Sequence, residues 1–172
     1  TTNASISYQF SRNAMIGSTG IITFSNYPNP TQANGLYNST SVGGSAFYIH
    51  RFSKSQYIGI AYQYLNSRSN PLDARTTPNS PQIDVKTYAL LPFYTMYLSP
   101  TVSLSLSIGP EHYEATQDFS PSAISWAPYV MASAGWQKNH TNFVANYLRS
   151  VVGGGGLPGA FSSNSASASF RW

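Results

Sequence analysis

The chain has 172 residues, of which 41% are hydrophobic and 15% aromatic, while only 8% are charged, against roughly 25% in ordinary soluble domains. Its apolar content excludes an intrinsically disordered chain, the lack of cysteine excludes a disulfide framework or thiolate metal site, and no apolar run is long enough for a transmembrane helix. The formal charge of +4 comes without a dense Lys/Arg run, so nucleic acid is not an expected partner.

Alternation with a period of two recurs from end to end, and helical spacing is nowhere sustained, which predicts strands with two different faces. Residues 2–11 set Ala4, Ile6, Tyr8 and Phe10 against Asn3, Ser5, Ser7 and Gln9. Strands are then predicted at 14–26, 41–52, 56–67 and 83–97, followed by 101–109, where Val102, Leu104, Leu106 and Ile108 oppose Thr101, Ser103, Ser105 and Ser107. Further strands are predicted at 124–137 and 141–151. Residues 163–172 close the series, with Ala166, Ala168, Phe170 and Trp172 opposite Ser165, Ser167, Ser169 and Arg171. That makes nine strands. A proline removes one ladder hydrogen bond, so Pro92 and Pro128 are expected to mark bulges.

The connections alternate in length. Tight turns are predicted at Ser11-Arg12-Asn13, Ser53-Lys54-Ser55, Leu98-Ser99-Pro100 and Gln137-Lys138-Asn139-His140, and long loops near 27–40, 68–82, 110–123 and 152–162. Outer-membrane barrels have short periplasmic turns and long external loops, so this alternation predicts both topology and orientation.

The strand at 124–137 carries the strongest single signal. Trp126, Pro128, Val130, Ala132, Ala134 and Trp136 share one face. A tilted strand needs about 9–11 residues to cross the hydrocarbon layer, with aromatic residues where it meets each headgroup region, and the two tryptophans have that separation. Tyr8, Phe10, Phe52, Tyr57, Tyr97, Trp136, Phe143, Phe170 and Trp172 form the predicted girdle near the tight turns. Phe24, Tyr27, Tyr62, Tyr64, Trp126 and Tyr147 form the one near the long loops. The expected fold is an all-β, antiparallel up-and-down transmembrane β-barrel, a single domain over 1–172. Bacterial barrels of one chain have an even strand number with both termini usually periplasmic, so nine strands predict a piece of a larger barrel or a peripheral first strand.

Several segments carry a resemblance. Gly44-Ser45-Ala46-Phe47-Tyr48-Ile49-His50-Arg51, Gly135-Trp136-Gln137-Lys138-Asn139-His140-Thr141-Asn142-Phe143, Tyr147-Leu148-Arg149-Ser150-Val151, Gly153-Gly154-Gly155-Gly156-Leu157 and Asn164-Ser165-Ala166-Ser167-Ala168 together resemble a family of uncharacterised outer-membrane β-barrel proteins of environmental bacteria. The resemblance implies a porin-like barrel that continues beyond the strand matching 163–172. It carries no catalytic signature.

Candidate chemistry is sparse. Glu111, His112, Glu114 and Asp118 are close in sequence and would be the candidate ligands of a divalent cation, or would polarise a water, but without the spacing of a known metal motif. A solvated loop is the plainer reading of the four. No nucleophile elbow is present, and the histidines lack the partners that make a catalytic base, so no catalytic residue, cofactor or enzyme activity is expected. The run Gly153-Gly154-Gly155-Gly156 lacks the residues of a phosphate loop and reads as a flexible connection.

The face opposite the apolar one predicts a lumen lined by Asn3, Ser5, Ser7, Gln9, Ser103, Ser105, Ser107, Ser165, Ser167 and Ser169, with Asp84, Lys86, Arg149 and Arg171 as its charges. Few charges predict a passive channel of weak ion selectivity in the bacterial outer membrane. A structural or adhesive surface barrel, binding through its loops to other surface components or to further copies of itself, is the alternative, and an outer-membrane lipid hydrolase is the third. The lipid bilayer is the partner in every case.

Overall fold

In a computed structural model of the chain, residues 1–26, 37–71, 82–118, 121–154 and 157–172 are described. They form nine antiparallel strands in one sheet: β1 (Thr2–Ser11), β2 (Ala14–Ser25), β3 (Tyr37–Arg51), β4 (Gln56–Pro71), β5 (Ile83–Ser99), β6 (Val102–Gln117), β7 (Ala123–Lys138), β8 (Thr141–Gly154) and β9 (Leu157–Arg171). The strand order follows the chain, and each strand pairs only with its sequence neighbours. The sheet is therefore an open meander among the described residues, with β1 and β9 at its edges. Tyr27 and the Gly155–Gly156 pair of the glycine run lie outside the described residues.

All nine expected strands are present, yet β3, β4, β6 and β9 extend beyond the expected bounds, β4 to Pro71 and β6 to Gln117. The loops near 40, 68–71, 110–117 and 157–162 are shorter than expected for a physical reason. Alternation of apolar and polar residues stops where one face is no longer oily, whereas the backbone ladder needs only N–H and C=O groups and continues through Asn66–Asn70 and Glu111–Gln117.

The turns are built locally. Ser11 Oγ accepts the Asn13 N–H at 3.2 Å in the β1–β2 turn, and Ser99 Oγ accepts the N–H groups of Thr101 and Val102 at 3.2 and 3.1 Å in the β5–β6 turn. Between Lys138 and Thr141 the chain reverses through Asn139 at φ 52°, a conformation that asparagine tolerates better than most residues.

The bulges expected at Pro92 and Pro128 do not form. Register shifts fall instead between Gln9 and Ser11, between Tyr97 and Ser99, and between Gly153 and Gly154. Pro128 stands opposite Pro110 in unbroken register, and the β7–β8 pairing ends at Val130 and Arg149, so Pro128 has a neighbour strand on one side only. Around Pro92 the β5–β6 register is the same on both sides, but pairing lapses between Ala89–Glu111 and Phe93–Ser107. There Gly109 admits the Leu90 carbonyl into the space that a β-carbon would fill.

Beyond Arg149, β8 parts from β7 and turns with β9 over one face of the sheet, approaching β3, β4, β5 and β6. That face is concave and holds the core. Ala89, Leu91 and Tyr129 are buried there, with Ala61 of β4 and Leu148 of β8 packed against them. Nearer the loop ends, Ser67, Ser69, Ile83, Val85 and Val151 are buried as well. Gly153 lies so close to β5 that a β-carbon at this position would be 2.5 Å from Val85 Cβ.

Candidate functional site: the two faces of the sheet

Register sorts the side chains. On the convex face, Ile6, Tyr8, Ile16, Tyr48, Ile58, Ile60, Leu90, Tyr94, Leu104, Leu106, Ile108, Val130, Trp136, Phe143 and Phe170 form an apolar surface that runs across every strand. Much of it is open, with Ile6 75%, Phe24 67%, Ile108 51% and Phe170 67% exposed. A monomeric protein in water rarely exposes an apolar patch larger than a few hundred square ångströms, and here the exposed apolar surface greatly exceeds the buried core.

The belt has an edge. Tyr64, Tyr88, His112 and Trp126 stand side by side on β4, β5, β6 and β7, with ring centroids separated by 5.1, 6.0 and 4.8 Å in turn. One row further toward the long loops the same face becomes polar: Asn66, Lys86 and Glu114 follow one another across β4–β6, and then Arg68 and Asp84. Arg68 donates to the Asp84 carboxylate from Nε at 2.9 Å and from Nη2 at 3.4 Å. At the opposite limit lie Tyr8, Phe10, Tyr48, Trp136, Phe143 and Phe170, with Phe10 and Tyr48 stacked at 6.3 Å. Trp172 follows β9 and is 92% exposed. Of the six residues expected in the girdles from the clearest strands, Tyr8, Phe10, Trp126, Trp136 and Phe170 stand at the margins of the convex belt, and Trp172 lies one residue past β9 without a strand partner. Tyr57 and Tyr97 do not stand at these margins. Their register places them on the concave face, where their rings meet edge to face at 5.8 Å.

The concave face is rich in hydroxyls. Ser5, Ser7 and Gln9 of β1, Ser103, Ser105 and Ser107 of β6, and Ser165, Ser167 and Ser169 of β9 all lie on it, as does Asn3. Cross-strand bonds tie part of this lining together: Thr95 to Ser105 at 3.0 Å, Ser41 to Ser67 at 2.8 Å, and Ser107 Oγ to the Pro92 carbonyl at 3.2 Å. Of the four charges expected here only Arg171 is present. Asp84, Lys86 and Arg149 stand on the convex face; at this end of β5 the alternating apolar residues Ile83 and Val85 are buried on the concave side, so the charges between them turn outward.

The acidic segment is likewise redistributed. Glu111, His112 and Glu114 belong to β6 rather than to a loop, and extended backbone sends Glu111 to the concave face and His112 and Glu114 to the convex one. Asp118, just past the strand, accepts the Gln82 N–H at 3.2 Å. The four candidate ligands do not converge, and among the described residues no group of three or more His, Asp or Glu side chains is placed to hold a metal ion.

Glu111 itself is a residue whose position the sequence did not disclose. It is only 3% exposed, and its Oε2 accepts the Val151 N–H at 2.7 Å. The bond joins β6 to the part of β8 that has left β7. No family model matches the chain, and no curated protein matches it at a significant level.

Proposed function

We propose that this sheet is the wall of a bacterial outer-membrane β-barrel and that the protein acts as a passive, porin-like channel whose lumen is the concave face. The observation that carries the membrane reading is the exposed apolar belt of the convex face, bounded by the Tyr64–Tyr88–His112–Trp126 row on one side and by Tyr8, Phe10, Trp136 and Phe170 on the other. Ten residues separate Trp126 from Trp136. At about 3.3 Å per residue and a tilt of about 40°, that is a height of about 25 Å, the thickness of the apolar band of such barrels. No backbone group goes unpaired in hydrocarbon without large cost, so in a membrane the edges of β1 and β9 are closed by each other, by other strands or by a neighbouring copy.

The hydroxyl lining supports passage of small polar solutes with weak discrimination between ion charges, since neutral hydroxyls hydrate either sign. A second reading is favoured by one observation: Ala61, Ala89, Leu91, Tyr129 and Leu148 pack together on the concave side, as in small barrels whose interior is filled by side chains. On that reading the protein is a structural or adhesive surface barrel. A planar-bilayer measurement separates the two. Steps of conductance with little ion preference support the channel, and a folded, liposome-inserted but silent protein leaves the surface barrel. A protein that stays out of liposomes altogether overturns both.

A further inference from the structure

All the acidic residues described lie toward the long-loop ends of their strands or just beyond them: Asp84, Glu111, Glu114 and Asp118. The tight-turn ends carry Arg12, Arg51, Lys54, Lys138 and Arg171 and no carboxylate side chain. On the concave face at that end, β1–β5 line an open cavity of about 460 Å³ whose polar lining includes Gln9, Arg12, Asn13, Arg51, Tyr57 and Thr95. From these observations we infer a binding site for a small organic carboxylate, held by Arg12 and Arg51 with its apolar body against the aromatic wall.

Arg51 is held ready. Its Nε donates to the Ser53 carbonyl at 3.1 Å and its Nη2 to the Lys54 carbonyl at 3.3 Å, while the guanidinium carbon lies 5.9 Å from the centroid of the Tyr57 ring. Its backbone N–H donates to the Asn13 carbonyl at 2.6 Å, which fixes the end of β3 against the turn that carries Arg12. Nη1 has no partner among the described residues. Carbonyl oxygens orient a guanidinium without supplying a countercharge, so Arg51, which lines the cavity, has no anionic partner among the described residues. Arg12 makes no hydrogen bond or ion pair among the described residues, where the one ion pair is Arg68–Asp84 at the other end of the sheet.

Two uncompensated guanidinium groups beside one cavity repel each other and attract an anion, and a planar carboxylate matches the fork of guanidinium donors in a bidentate bond. The rest of the wall selects within that class. Phe93 occupies the space that a side chain at Gly59 would take, and with Met15 and Ile49 it makes the remaining wall apolar. Inorganic phosphate finds no partner for that wall. A neutral aromatic finds none for the arginines. The site is available in folded protein whether or not the barrel conducts, so its test is independent of the channel reading.

The test is calorimetric titration of detergent-folded protein with benzoate, alongside benzyl alcohol and inorganic phosphate. The expected result is saturable binding of benzoate that weakens with added salt, and binding of each control at least about tenfold weaker, or about 1.4 kcal/mol. Arg12→Ala and Arg51→Ala should each weaken benzoate by about tenfold or more. Because Arg51 also ties the β3–β4 turn, Arg12→Ala, which breaks no internal bond, is the deciding variant. Absence of benzoate binding, equal binding of benzyl alcohol or phosphate, or an Arg12→Ala protein that binds as the parent does would each overturn the proposal.

Discussion

The Glu111 carboxylate, on β6, accepts the backbone N–H of Val151, forty residues further along on β8, at 2.7 Å and almost out of contact with solvent. The bond forms where β8 has left β7, so it replaces a ladder bond that the Val151 amide would otherwise have made. A hydrogen bond to a charged group contributes about 1.5–3 kcal/mol. Substituting Glu111→Leu should therefore speed hydrogen exchange of the Val151 amide by about 10–100-fold, whereas Glu111→Gln, which keeps an acceptor, should change it less. Unchanged exchange in the leucine variant would show that the contact does not hold β8 in place.

The same region yields a steric prediction. Since a β-carbon at Gly153 would fall 2.5 Å from Val85 Cβ, Gly153→Ala should lower stability by about 1–3 kcal/mol, the usual cost of overpacking. Val85→Gly removes all three Val85 side-chain atoms that such a β-carbon would meet, at 2.5, 2.7 and 2.9 Å. Denaturation of the two single variants and the pair should show the double variant more stable than the sum of the single losses implies, with a coupling above about 0.5 kcal/mol. Strict additivity would place Gly153 away from Val85.

If the concave face conducts, β8 narrows it. Glu111→Leu and Gly153→Ala both loosen the end of β8 from β5 and β6, and both should raise the single-channel conductance or the open fraction in planar bilayers. Ser165→Ala, on the concave face of β9 and without a hydrogen bond to β5 or β6 among the described residues, should leave it unchanged. Equal conductance in all three proteins would remove β8 as the constriction.

The two faces should differ in their tolerance of charge. Leu106→Arg places a guanidinium midway between the margins of the convex belt and should cost about 2–4 kcal/mol in folding into liposomes. Ser105→Arg, one residue away on the concave face, loses the bond to Thr95 and should cost about 1 kcal/mol. Equal penalties would count against a lipid-facing convex surface.

The depth of the belt can be read spectroscopically. In vesicles containing brominated lipids, variants that keep only Trp126 or only Trp136 should both be quenched best by bromines near the headgroups and less by bromines at the chain ends, because the two residues mark opposite margins. Strong quenching of one and none of the other would shift the belt along the strands.

The features legible in the amino-acid order follow from short-range physics. Alternation of apolar and polar residues specifies a strand wherever one face is oily, so β1, the middle of β6, and β9 were legible, as was the common face of Trp126 and Trp136. Turn residues such as Asn139 and Ser99 act within a few positions, and the tight turns were legible too. The remaining features depend on register and on chain crossing. Lys86 lies on the side opposite to the sequence-based expectation because the oily residues that alternate with it, Ile83 and Val85, are buried on the concave face rather than turned outward, and Arg149 likewise falls on the convex face by its pairing with Val130. Glu111 parted from His112 because neighbours on extended backbone point oppositely. The burial of Glu111 beneath Val151, the fit of Gly153 against Val85, and the meeting of Arg12 with Arg51 beside one cavity join residues about forty or more positions apart. No local pattern encodes such pairs: the first two exist only after β8 has crossed the concave face, and the third only once β2 has paired with β3.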